Sequence, residues 1–144
     1  MQIDYQLLLS DAQAFSSSGA STNYIDLGSI RHVGRGNPMA LVFTVDTGAD
    51  YTTTDETYAF ALQTDDNTSF SSAATQVTRT ISAASSGLAA GTIHVIPFNF
   101  TSERYLRLYA TLGGTTPSIT ITAWVAPMSM ISSSEVTYAA GYTV

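Results

Sequence analysis

The chain contains no cysteine and no lysine, and it carries little charge: 11% of its 144 residues are Asp, Glu, Lys or Arg. The missing cysteine removes disulfide frameworks, thiolate zinc sites and cysteine nucleophiles together. It fits an intracellular origin. Long apolar runs are also missing. Stretches such as MALVF and AWVAPM fall far below the ~20 residues that span a bilayer. The opening MQIDYQLLLSDAQ has acids and no early base, so it does not read as a secretory signal, and no membrane contact is expected. All five bases are arginines (Arg31, Arg35, Arg79, Arg104, Arg107) against eleven acids, for a net charge of −6. Such a chain, without a basic stripe, repels phosphate backbones, and no nucleic-acid partner is expected. Arginine without lysine leans toward contacts between proteins, where guanidinium groups are enriched.

Patterns that carry chemistry are sparse too. Two histidines, His32 and His94, are too few for a zinc triad without cysteine, and no H-x-x-x-H pair exists. The G-x-S-x-G elbow is absent. RHVGRGNP lacks the G-K-[ST] ending of a phosphate loop. Asp46, Asp50, Asp55, Glu56, Asp65 and Asp66 are hard oxygen ligands in loop-like surroundings. They lack the EF-hand spacing and read as a solubilising cluster. His94, between Ile93 and Val95, reads as a surface or cross-strand residue. No catalytic residue, cofactor or metal is expected.

What is present is period-two alternation. Met39, Leu41, Phe43 and Val45 point one way and Ala40, Val42, Thr44 and Asp46 the other. Tyr58, Phe60 and Leu62 share a face, as do Leu106, Leu108, Ala110 and Leu112, and Ile119, Ile121, Ala123 and Val125. Alternation of this kind predicts half-buried strands. Turn clusters separate the runs: VGRGNP, DTGADYTTTDE, TDDNTS, AASSGLAAG and LGGTTP. The spacing predicts an all-β fold: an antiparallel sandwich or jelly roll of about eight strands, with extended N- and C-terminal arms. SDAQAFSSSG (10–19) is the stretch that a short helix would also suit. AATQVTRTISAASSG is ambiguous and leans to strand. Three divisions follow: an N-terminal arm and first strand over 1–23, a sandwich core over 24–126, and a C-terminal arm or edge strand over 127–144.

LVFTVDTGAD (41–50) resembles the catalytic loop of retroviral-type aspartic proteases. Those enzymes bring two carboxylates together, which a single Asp46 achieves only in a homodimer. The rest of the resemblance fails. YTTTDETY follows the motif where an apolar strand belongs, and no later glycine stands behind two bulky aliphatics. Asp and Gly at a strand end make a turn, and Asp46 reads as a strand terminus. A carbohydrate-binding sandwich is a further alternative, with Trp124 and the eight tyrosines as stacking groups, although a lone Trp on a strand is more often core.

A broader resemblance covers roughly residues 5–125. The segments Leu8–Ala14, Ser21–Gly28 and Gly34–Val45, then FALQTDDNTSFSS (60–72) and IPFNFTSERYLRLYATLGGTTPSITITAWV (96–125), are similar to the capsid cement (decoration) proteins of some tailed bacteriophages. The resemblance implies a jelly-roll sandwich on the outside of an icosahedral capsid, assembled in the host cytoplasm. It implies a partner, the major capsid protein, and self-association as a homodimer or trimer. It implies mechanical work without enzymatic activity. Candidate partner-binding residues are chosen on physical grounds: Tyr5, Leu7 and Leu9 as arm anchors, Arg31 and Arg35 as ion-pairing groups, Tyr138 and Tyr142 as tail contacts.

Overall fold

A computed structural model describes residues 3–84, 86–99 and 101–131. The expected tail contacts Tyr138 and Tyr142, and most of the C-terminal arm, lie outside the described residues. The strands are β1 (Leu8–Phe15), β2 (Gly19–Ala20), β3 (Ile25–Asp26), β4 (Met39–Thr47), β5 (Thr57–Asp65), β6 (Ala74–Ile81), β7 (Ile93–Phe98), β8 (Tyr105–Gly113) and β9 (Ile119–Pro127). Single 3-10 turns precede β1 (Tyr5–Leu7) and follow β9 (Met128–Met130).

Two antiparallel sheets form. One has the order β1-β9-β4-β7, the other β2-β8-β5-β6, and β3 also pairs with β8. The short strands β2 and β3 occupy the same side of β8 in succession, at Ala110 and Tyr109 and then at Leu106 and Tyr105. Counted as one interrupted strand, they leave eight positions in the jelly-roll order, with the first strand beside the last. The expected all-β sandwich is the observed architecture.

The core follows the alternation. Leu41, Phe43 and Val45 of β4, Tyr58, Phe60 and Leu62 of β5, Leu106, Leu108 and Ala110 of β8, and Ile119, Ile121, Ala123 and Val125 of β9 meet in one cluster between the sheets. Phe43 and Phe60 join the sheets with ring centroids 4.5 Å apart. Each fully buried Val, Leu, Ile or Phe of this cluster contributes roughly 1.5–3 kcal/mol relative to exposure.

The structure resolves two local ambiguities. SDAQAF belongs to β1 and not to a helix: β9 needs a partner on that side, and tertiary pairing outweighs a short local preference. The strand still yields locally. Its register shifts between Ser10 and Gln13, Ala12 takes φ 43°, and its N–H donates to Thr122 Oγ at 2.9 Å. The 74–81 stretch is strand, as the leaning had it. Its weak signal reflects an outer position: among the described strands β6 pairs only with β5, and most of its side chains are exposed.

The first sheet also has an apolar outward face. Leu8, Ala40, Val42, Trp124 and Ala126 form a second buried cluster there, with Ile93, Val95, Met128 and Ile131 packed against it.

Candidate partner-binding surface

The N-terminal segment is built to present one aromatic ring. The Asp4 carboxylate accepts the Gln6 N–H at 3.0 Å, and the Asp4 carbonyl accepts the Leu7 N–H at 2.9 Å. This cap fixes the 3-10 turn and leaves Tyr5 81% exposed. Leu7 packs partly against the core. Leu9 is a correction: its side chain is fully buried between the sheets, so it holds the fold and has no surface to offer a partner.

Tyr5 lines two shallow hollows. One also takes in Ile3, Asp4 and Met130; the other reaches Leu8, Asn23 and Tyr24. Ile3, Tyr24 and Met130 are exposed apolar groups. Tyr24, just before β3, continues the surface onto the outward side of the second sheet. Its ring meets Phe70 at 6.3 Å and Tyr105 at 5.7 Å, both edge-on. Arg107 lies over Phe70 at 4.3 Å and within 5.5 Å of the Tyr109 ring, while its Nε donates to Gln63 Oε1 at 2.9 Å. Arg104 stands 4.9 Å from the Tyr105 centroid and grips Asp26 with two hydrogen bonds, 2.7 and 3.0 Å.

Electrostatics hold this surface in shape. The Arg104 guanidinium, helped by the Gly28 N–H, keeps the Asp26 carboxyl below its usual value, and Asp26 raises Arg104 in return. Solvent screens this exposed pair, so its role is geometric more than energetic. Asp65 organises the loop that delivers Phe70. Its carboxylate accepts N–H groups from Asp66, Asn67 and Ser72 at 2.7, 3.3 and 2.9 Å. Desolvation pushes this carboxyl up, but the donated hydrogen bonds, that of Ser72 foremost, hold it below the ordinary range.

Arg31 and Arg35 are exposed on a different loop, the β3–β4 connection, which is tied to the body by the Val33–Thr101 bridge. Of the residues on this candidate surface, the sequence reading names Tyr5 and none of Tyr24, Phe70, Arg104 and Arg107. The available signal was the outward set Tyr105, Arg107 and Tyr109 on β8, three Arg-or-Tyr side chains on alternate positions.

Asp46 sits at the exposed end of β4, where the register shifts between Val45 and Thr47. Its Oδ2 accepts the Thr122 hydroxyl at 2.8 Å, so it links two strands across the outward face. Trp124 is 2% exposed, which leaves it no face on which a sugar stacks. His94 is cross-strand to Phe43, stacked on that ring at 4.9 Å, with Nε2 2.7 Å from the Gly87 carbonyl. Among the described residues no three His, Asp or Glu side chains are placed to hold a metal.

Fold and surface together define a jelly-roll sandwich whose most developed outward feature is an aromatic–arginine face. The chain belongs to the Bbp16 family, a phage-related family, whose model matches residues 9–125. A comparison with curated proteins gives no match. Among solved structures, a chain from infectious bursal disease virus, Gx strain, is similar at 20% identity and a TM-score of 0.37. One from the Gt strain gives 19% and 0.35. Each match covers 83% of this chain and 30% of the viral chain.

Proposed function

We propose that this chain is a non-enzymatic structural protein of a phage virion, a cement protein that binds the outer surface of an icosahedral capsid and bridges major capsid subunits. One observation carries this reading: the family match over 9–125 coincides with the jelly-roll body, β1 to β9. Within that span the surface chemistry is that of protein contact. Tyrosine and arginine, held in place by neighbours, are the residue types that anchor interfaces. A rigid sandwich that touches two shell subunits at once adds modest contacts through effective concentration. Binding only the assembled shell stabilises that state by mass action. A symmetric homodimer, or a trimer, would double or triple the grip.

The test is to prepare shells with and without the protein. Shells that carry it should withstand higher temperature, and the protein should sediment with them. Tyr24→Ala should weaken that association by about 2 kcal/mol, roughly 30-fold in Kd, with the isolated protein still folded and its Tm lowered only by the loss of two edge-on ring contacts. Equal durability of bare and decorated shells, or protein left in the supernatant, ends the proposal.

A further inference from the structure

The acids between β4 and β5 read in the sequence as a solubilising cluster, yet one of them is withdrawn from solvent. Glu56 is 4% exposed. The β8–β9 turn lies on it: a Cβ on Gly114 would come within 2.6 Å of the Glu56 Cα. Its Oε1 accepts the Thr53 N–H at 3.2 Å and the Thr53 hydroxyl as well. Its Oε2 is buried and has no donor, and no ion pair reaches the group among the described residues. The Thr53 hydrogen bonds hold this carboxyl below its usual value, against burial and the charge of Asp50, so it is ionised at neutral pH. Buried charges are ordinarily paired with a counter-charge or bound to a metal.

The surroundings add oxygen and no positive charge. Asp55 Oδ1 accepts the same Thr53 hydroxyl at 2.8 Å, and the Thr115 carbonyl oxygen stands 3.4 Å from it. One hydroxyl proton thus faces two carboxylates and a carbonyl. A hollow of about 370 Å³ has both Asp55 and Glu56 in its wall. Asp65, the other buried acid, makes the contrast: both of its oxygens are met by N–H groups of its own loop. We propose that the β4–β5 and β8–β9 loops form a calcium site, with Glu56 Oε2 as the buried ligand and with Asp55 and the Thr115 carbonyl as its other protein ligands. A mixed set of carboxylate and carbonyl oxygens suits Ca²⁺, whereas Mg²⁺ demands a near-ideal octahedron and gives up its waters reluctantly. Two carboxylates converge here and not three, which puts the affinity at the weak end, about 10⁻⁴–10⁻³ M. Bound there, the ion ties the two loops together.

Thermal unfolding of the full chain in EDTA, in about 10 mM CaCl₂ and in about 10 mM MgCl₂, at one ionic strength, tests the site. Calcium should raise the Tm by a few degrees, and magnesium by much less. Glu56→Gln keeps the shape of the side chain and should abolish the calcium response. A Tm that calcium leaves unchanged, an equal shift with magnesium, or a full response in Glu56→Gln overturns the proposal. Should Glu56→Gln fail to fold, Asp55→Asn, at the exposed side of the site, takes its place in a calorimetric titration with CaCl₂. Wild type should then show one saturable site per chain, and the variant binding several-fold weaker. Heat that does not saturate, or equal binding by the two proteins, overturns it as well. None of these readings involves a shell, so the calcium site and the cement role fail separately.

Discussion

His94 shows how one side chain couples the fold to pH. Burial holds its imidazole below the ordinary value of about 6.5; the Gly87 carbonyl partly offsets this, and the charge of Arg79 adds to it. The folded protein therefore favours the neutral ring. Its contribution to stability is full above pH 6.5, where the unfolded ring is also neutral, and is lost as pH falls from there through the lower folded value. The Tm should fall on acidification below 6.5, and His94→Gln should remove that part of the slope. Asp26, Asp55, Glu56 and Asp65, all held low by hydrogen bonds, lose their share only in the carboxylate range below it. A steep Tm loss between pH 7 and 5 that His94→Gln leaves unchanged would show that another group is responsible. The sequence places His94 on a strand among apolar neighbours, but not on which side. Ile93 and Val95 suggest an outward histidine. The actual register sets it against Phe43 inside, while Ile93 and Val95 turn to the outer cluster.

At the scale of elements, the long strands were legible because alternation is a local signal: β4, β5, β8 and β9 run within a few residues of their predicted limits. The short pairings were not. Gly19–Ala20 has no pattern of its own and is a strand only because β8 has a free side there. Of the aromatic surface only the β8 set Tyr105, Arg107 and Tyr109 was legible, and the rest was hidden for the same reason. Tyr24 and Phe70 meet because β3 pairs with β8 and because Asp65 folds the following loop back, and neither contact leaves a trace in sequence spacing. Loops repay the same attention. Gly114 has φ 90°, and a Cβ there would lie 2.5 Å from the Asp55 carbonyl oxygen and 2.6 Å from the Glu56 Cα. The β8–β9 turn thus lies directly on the backbone that enters β5, where Asp55 accepts the Thr115 N–H at 3.0 Å. Gly114→Ala should cost about 1–3 kcal/mol from backbone conformation alone, more with the clash, and lower the Tm by several degrees. An unchanged Tm would mean that the two loops separate freely.

For the whole molecule, the jelly-roll order makes nearly every sheet contact non-local. β1 pairs with β9, so the first sheet closes only when the last strand is in place. Topologies of this kind fold in milliseconds to seconds and not in microseconds. The same order explains why the charge pattern is so bland. A sandwich that buries its apolar residues through alternation needs few ion pairs, and the arginines are released for the outer surface. Arg107 shows this, set between Tyr105 and Tyr109 on the outward side of β8.

The β1–β9 pairing has a mechanical consequence. Leu8 lies opposite Trp124, and Phe15 opposite Ile119, so both ends of the body leave from the same side. Tension applied through the two termini opens this seam like a zip, one rung at a time, and never loads all its rungs in parallel. Pulled end to end in a force spectrometer, the protein should give way at low force, in contrast to folds sheared along their terminal strands. In the proposed bridging role, load would have to pass sideways through the sheets and not along this seam.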